Sequence, residues 1–481
     1  MDTFGTKHEA ALELTAAGRH EEALALLREH LLGHPRDGEA LNDAGALLYA
    51  LGRFEQAERH LRLAVEHLPG RCAAAKANLA EVHLAQGRGQ DALALLDDLA
   101  ADEALTPDLA NRTSAVLLQD GRCAEAVELL LRSWRLAPQA ERLGPILARL
   151  RTLRPRIALI GGGCELRRFL RERFETRRFR RADAGNLQAL LDWCDVAWLD
   201  HCGPEAAEAS HLPKRCLLAV CVRPGELDGG GFDEVDWSNV DLAVARGSGH
   251  MRSVLAGRLP ELARARRVVQ VPPAVDVAAL PPACEGAGTN LACVDGLELA
   301  GNPMFLLQCF RRLRIADGRF RLFFAGYCRD DALQRYLLHA VEAFGLREAV
   351  RFDGWQEDLP AWLADKHCIV SAAISERRVE DILAAAAMGL KPVVHAFPGA
   401  RDLLGNEALF ATEQDFCRRV LAAPHDPPAS GRILRERFGM DAYHGRVNDL
   451  LSRLEGLFAR AGGGRQASRP AAASGGEATW R

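Results

Sequence analysis

Apolar residues recur at helical spacing over the first 150 positions, and beyond them the pattern changes to short apolar runs separated by helical stretches. Arg154-Pro155 closes the first pattern, because proline cannot continue a helix and pushes the residue before it towards extended backbone. Arg156-Ile157-Ala158-Leu159-Ile160 then reads as a short buried strand running into Gly161-Gly162-Gly163. Further strands are expected at Val196–Leu199, Cys216–Val222, Leu242–Ala245, Val268–Val271, Leu291–Val294, Arg321–Ala325, Val350–Phe352, Cys368–Ser371 and Pro392–His395. Such alternation predicts parallel strands joined by crossover helices. The strands are too many for one compact sheet. The proline- and glycine-rich stretch from Val271-Pro272-Pro273 to Pro281-Pro282 and Gly288 divides them. The chain is therefore expected to hold helical repeats over 1–150, one Rossmann-like domain over 155–280, and a second over 285–460 with a closing helix. A disordered Gly/Ala/Ser/Arg-rich tail is expected over 462–481. The fold class is thus α followed by α/β, with a ligand cleft expected between the two α/β domains.

Within the first third a sub-motif returns four times: Gly18-Arg19 with Ala23, Gly52-Arg53 with Ala57, Gly87-Arg88 with Ala92, and Gly121-Arg122 with Ala126. Successive glycines lie 34, 35 and 34 residues apart, and Pro35, Pro69 and Pro138 each follow 17 residues after one of them. Period and residues resemble the tetratricopeptide repeat family, which pairs two helices per unit. Each Gly permits the tight turn, each Ala allows close helix contact, and each Pro stops the second helix. One helical hairpin cannot bury its own apolar stripe, so the units must stack into a curved groove. Such a groove is expected to capture a polypeptide, the alternative being a spacer or dimerisation element.

Composition narrows the picture. With 48% hydrophobic and 26% charged residues, the 481-residue chain matches soluble globular proteins. The 61 basic and 65 acidic residues nearly cancel, so no nucleic-acid partner is expected. The apolar run at Cys216–Val222 is too short to span a bilayer, and the N-terminus lacks a basic segment followed by an apolar one. Thirteen scattered cysteines suit reduced thiols, and the expected location is the cytoplasm.

Two phosphate-binding patterns can be tested directly. Gly161-x-Gly163 supplies two glycines of a dinucleotide fingerprint, with Asp183 near the place of a ribose-binding acid, but Leu166 stands where the third glycine belongs. No G-x-x-x-x-G-K-[ST] is present. The second half carries a more specific series: Asn302-Pro303 opening a helix, Phe320–Gly326, Phe352-Asp353-Gly354-Trp355, then Ile374-Ser375-Glu376-Arg377-Arg378-Val379-Glu380 leading to Met388-Gly389, and Lys391–His395. In order, these resemble the donor-binding domain of family 4 glycosyltransferases, which have the two-Rossmann GT-B fold. The likeness extends over most of residues 155 to 425. It implies a metal-independent hexosyltransferase with a nucleotide-sugar as co-substrate and no cofactor, and no Asp-x-Asp triplet occurs to hold a metal. Family members that also carry tetratricopeptide repeats look like protein glycosylating enzymes, including those acting on bacterial surface or flagellar proteins, which implies a polypeptide acceptor.

The sequence departs from the family at the donor site. The family's Arg and Lys fall on Gly296 and Gly301, and its second Glu falls on Ala384, while its first is retained as Glu376. Two lost charge-assisted contacts at roughly one to three kcal/mol each would slow transfer by a factor on the order of a thousand. Arg377, Arg378 and Glu380 are the candidates to compensate, beside the reading in which they are a solvated helix start. Gly162, Asn302, Gly354 and Trp355 complete the expected donor site, with Glu376 and His201 as catalytic candidates. Asp200-His201 follows the Val196–Leu199 strand, and Arg223 and Glu226 follow Cys216–Val222. His250, after Ser248-Gly249, is explained by a helix cap. The alternative to an enzyme is a glycosyltransferase-like scaffold that has lost turnover.

Overall fold

The computed structural model describes residues 5–461 apart from 69, 71, 162–163, 180–185, 228–229, 278–279, 282–287, 296 and 423–426. The expected tail over 462–481 lies outside the described residues. Two compact units divide the chain, Met1–Arg154 and Pro155–Arg481.

The first unit is all helix: Gly5–Ala16, His20–Gly33, Gly38–Ala50, Phe54–His67, Ala73–Ala85, Gly89–Ala101, Pro107–Gln119, Cys123–Leu136 and Leu143–Leu153. Gly18, Gly52, Gly87 and Gly121 sit between paired helices with φ of 70 to 74°, a left-handed conformation that costs a side chain about 1 kcal/mol or more. Ala23, Ala57, Ala92 and Ala126 are fully buried, which brings the paired helices close together. Gly45 does the same at one crossing, where a Cβ would lie 2.5 Å from Leu61 Cγ. Leu24, Leu27, Leu48 and Leu61 form the local core, each burial contributing about 1.5–3 kcal/mol. His20–Gly33 and Cys123–Leu136 end two residues before Pro35 and Pro138; Pro69 lies outside the described residues.

The second unit holds two six-stranded parallel sheets. The strands of the first are β1 (Ile157–Ile160), β2 (Thr176–Phe179), β3 (Val196–Leu199), β4 (Leu217–Val222), β5 (Leu242–Arg246) and β6 (Val268–Val271), in the order β2-β1-β3-β4-β5-β6. Those of the second are β7 (Asn290–Cys293), β8 (Arg321–Ala325), β9 (Val350–Gly354), β10 (Cys368–Ser371), β11 (Lys391–His395) and β12 (Leu409–Phe410), in the order β12-β11-β10-β7-β8-β9. The central strands β3 and β10 are buried throughout, as strands covered by helices on both faces must be. The sequence pattern missed β2, Thr-Arg-Arg-Phe, an edge strand with two exposed arginines, and β12, which is two residues long.

Strand order reverses direction between β1 and β3 in the first sheet and between β7 and β10 in the second, the places where open α/β sheets bind ligands beyond their carboxyl ends. The chain also returns: Tyr443, Val447, Leu450, Leu451 and Leu454 of the last helix, Met440–Ala461, pack on the core beneath the first sheet. Val275 N–H donates to Phe438 O at 2.8 Å where the two connecting segments cross.

Candidate functional site

Between the two lobes lies a cavity of about 390 Å³, within the size range of small-molecule sites. Its walls come from residues just past the carboxyl ends of strands: Arg223, Gly225 and Glu226 after β4, Arg246 closing β5, Glu298 after β7, and Glu376 to Glu380 after β10. The loops after β7 and β10 are tied together, with Ile374 N–H donating to Ala300 O at 3.0 Å. The helix that follows β10, Val379–Met388, points its N-terminus towards this region, with Glu380 in its first turn.

Among the described residues four arginines line the cavity, two from each lobe, and carboxylates orient each of them. Asp200, buried behind the wall at the end of β3, accepts from Arg223 Nη2 at 3.0 Å and Arg246 Nη1 at 3.4 Å. Arg246 also lies 3.9 Å from Glu380 Oε1 and 4.9 Å from the Tyr443 ring centre. Burial works against its charge, but Tyr443 and Asp200 more than offset this and hold the guanidinium pKa above its ordinary value. Arg377 pairs with Glu298 at 3.4 Å and donates to Gly225 O at 3.4 Å. Arg378 pairs with Asp381 at 3.3 Å, and its backbone is left-handed with φ of 54°.

The acids are unequal. Burial raises the Glu226 carboxyl, although the N–H groups of Arg223 and Cys202 donate to it at 2.8 and 3.1 Å. Burial also raises Glu376, which is 5% exposed and accepts from Ser248 N–H at 2.8 Å and Ser248 Oγ at 3.1 Å. Asp295, which follows β7, is pushed up to about 7 by burial, against the Ser371 side chain and the Cys293 thiol, which favour its charged form. Its Oδ1 has no hydrogen-bond partner among the described residues.

Glu376, Arg377, Arg378 and Glu380 are thus brought together as the sequence suggested, and Arg223 and Glu226 join them from the first lobe. Trp355 stands next to this group, not in the cavity wall: it is 53% exposed, lies in line with Tyr327 at 6.5 Å, and has the Arg378 guanidinium 6.0 Å from its ring centre. Gly354 ends β9 with φ of 72°, turning the chain into Trp355. Asn302 opens the Pro303–Ala316 helix in a left-handed conformation, without capping it through its side chain. His201 is not in the cavity wall; its ring packs against Gly161 and lies 3.7 Å from Glu205. Gly162 and Gly296 lie outside the described residues, as does Asp183, and Gly301 is buried in a short 3₁₀ turn. Arg246 and Asp295 were not picked out from the sequence. Each directly follows a buried apolar run, the same signal that singled out Arg223. Among the described residues, no group of three or more His, Cys, Asp or Glu side chains is placed to hold a metal ion, and no helix is long and apolar enough to cross a membrane.

Comparison with known families decides what this second sheet is. Residues 290–426 match the family described as glycosyl transferases group 1. They are a group 1 glycosyl transferase domain. Residues 14–78 match the tetratricopeptide repeat, so the chain joins tetratricopeptide repeats to that domain. Among solved structures, the chain is similar to an O-GlcNAc transferase mutant of Thermobaculum terrenum, with 17% identity over 96% of this chain and 98% of that one, at a TM-score of 0.42. It is also similar to the pneumococcal O-GlcNAc transferase GtfA, with 15% identity over 56% of this chain and 58% of that one, at 0.44. Anabaena HepE shares 13% identity over 62% of this chain and 99% of that one, at 0.46. With TM-scores below 0.5, these likenesses add nothing to the assignment. No curated protein matches the chain. The glycosyl transferase domain therefore supplies the second lobe of the cavity, through Glu298 and the loop after β10.

Proposed function

We propose that the chain transfers a sugar from a nucleotide-sugar donor to a polypeptide, with the donor diphosphate in the cavity and the polypeptide held by the tetratricopeptide array. The observation that carries this reading is the convergence of Arg223, Arg246, Arg377 and Arg378 from both lobes on one cavity beyond the carboxyl ends of the strands. As the bond from the anomeric carbon to the diphosphate oxygen breaks, negative charge grows on the leaving diphosphate. The acceptor oxygen bonds to that carbon and passes its proton to the leaving diphosphate. Guanidinium groups already aimed at the leaving group stabilise that charge without reorganising, which is where preorganised electrostatics contribute most. These arginines stand in for the family cations that Gly296 and Gly301 replace, and the step needs no metal ion. Glu380, at the cavity edge, is suited to a ribose hydroxyl, and the Trp355 and Tyr327 pair beyond Arg378 to the flat face of the base.

Thermal melting with UDP, GDP and ADP, beside turnover of the matching nucleotide-sugars, tests the reading. A nucleotide at a hundred times its Kd should stabilise the chain by about 2.7 kcal/mol. Arg223→Ala and Arg377→Ala should each weaken binding roughly tenfold or more, the loss of one charged hydrogen-bonding group. Added EDTA should leave turnover unchanged. No melting shift with any of the three, together with no turnover of any donor, refutes the reading and leaves a scaffold.

A further inference from the structure

The loop after β10 meets the first lobe at three points. Two are loose: Arg377 to Gly225 O at 3.4 Å and Glu380 to Arg246 at 3.9 Å. The third engages both oxygens of one carboxylate, with Ser248 N–H 2.8 Å from Glu376 Oε2 and Ser248 Oγ 3.1 Å from Oε1.

Ser248 is the N-cap of the Gly249–Arg258 helix, where its hydroxyl accepts from Met251 N–H at 3.2 Å. In a capping box the residue three positions further on is Glu or Gln, which reaches back to the N-cap N–H. Here that position holds Met251, whose side chain cannot accept this bond. A glutamate 128 residues away, on the other lobe, does so instead. The carboxylate also meets the positive end of the helix dipole, which favours it further. On the opposite side Ser248 is enclosed by Gly399 of the second lobe, where any Cβ would collide with the serine hydroxyl. Gly247, beside it, leaves room for the carboxylate, since a Cβ there would stand 2.8 Å from Glu376 Oε2. Glu376 and Gly399 thus form a socket, and Ser248, fully buried, is the plug.

We propose that this plug and socket is the latch that holds the two lobes closed over the cavity, and that Glu376 is a positioning residue for the loop bearing Arg377 and Arg378. Both oxygens of this carboxylate are held by Ser248, which fixes the backbone that carries the two arginines. His250 and Asp402 are the other titratable groups facing it. The latch stands on contacts between the protein's own residues and does not depend on which ligand the cavity takes.

Hydrogen exchange on the full chain without ligand reads the latch directly, because the Ser248 amide is its donor. In the unsubstituted protein the Ser248 amide should be protected, and Glu376→Ala should speed its exchange roughly tenfold to a hundredfold. Glu376→Gln, which keeps the shape and loses the charge, should give a smaller rise. Solution scattering should show an expansion for Glu376→Ala, a smaller one for Ser248→Ala, which keeps the amide donor, and none beyond that of Glu376→Ala in the double variant. If Glu376→Ala does not fold, Glu376→Gln and Ser248→Ala carry the test. Unchanged exchange at Ser248 with unchanged dimensions overturns the latch. So does abolition of donor turnover in Glu376→Ala without faster exchange at the Ser248 amide, which would mark a group acting on the substrate itself.

Discussion

Replacing Asp295 by Asn removes a carboxyl that the fold holds in its proton-bearing form. The residue is 4% exposed, one of its oxygens has no partner among the described residues, and Asp381 adds repulsion that Arg378 only partly offsets. Burial lifts it from 3.8 to about 7. At about 1.36 kcal/mol per pH unit, that gap is worth ~4 kcal/mol. The sign follows from where the proton sits. Between about pH 4 and 7 the folded chain holds a proton that the unfolded chain has released, so stability falls as pH rises and levels off above about 7. Asn carries no such proton and should abolish the slope. Urea unfolding of the full chain at pH 5, 6, 7 and 8, with exchange in β7 and β10 identifying the transition of the second sheet, measures the difference. The Asn variant should gain on the unsubstituted protein by up to about 3 kcal/mol between pH 5 and pH 8. A difference that stays flat across this range would mean that the carboxyl ionises like an exposed one, and the burial argument would fail.

Two further outcomes are expected. Gly52→Ala meets no atom within 4 Å, so its cost is the left-handed backbone alone, about 1 kcal/mol, and circular dichroism should show the array melting about 2–4 °C lower; an unchanged midpoint would refute the turn geometry. Because burial lets Glu226 take up a proton at higher pH than an ordinary glutamate, lowering the pH from 8 towards 5.5 removes negative charge from the cavity. Calorimetry should then show a nucleotide-sugar binding several-fold more tightly at the lower pH, and equal or weaker binding would contradict this.

Much of this architecture is legible because burial on both faces leaves a simple mark. Leu217–Val222 is an unbroken apolar run and Cys368–Ser371 is apolar up to its last residue, and a run of that kind bounded by polar loops has few alternatives. Thr176–Phe179 has an equal place in the hydrogen-bonded ladder but faces water at the sheet edge, so its arginines hide it. The same contrast separates the site residues. Arg377, Arg378 and Glu380 are legible because they follow Glu376, the position that the resemblance to family 4 glycosyltransferases marks, at a helix start where a phosphate would sit. Asp200 and His201 stand side by side, and only the fold decides which turns inward: Asp200 is buried beneath two arginines, while His201 packs beside Gly161. The Glu376–Ser248 contact had no local signal, since neither residue's neighbours announce a partner 128 positions away.

The balance of four arginines and four glutamates in the cavity wall is not by itself a mark of inertness. Four guanidiniums facing an empty cleft would repel one another, so each needs a counter-charge until a ligand arrives, and what matters is which counter-charges can withdraw. Asp200 cannot, because a buried carboxylate stripped of its partners would lose several kcal/mol. It therefore stays behind Arg223 and Arg246 and fixes their direction. Glu298 and Glu380 are 53% and 48% exposed, so water takes over from the arginine at little cost when either lets go. A guanidinium has five N–H groups, and a single carboxylate occupies at most two of them, so even a paired arginine keeps donors for a phosphate oxygen. An incoming diphosphate thus exchanges places with two solvated glutamates and leaves the buried aspartate undisturbed. That exchange turns a neutral, closed cleft into a site for two negative charges without any side chain having to be desolvated alone.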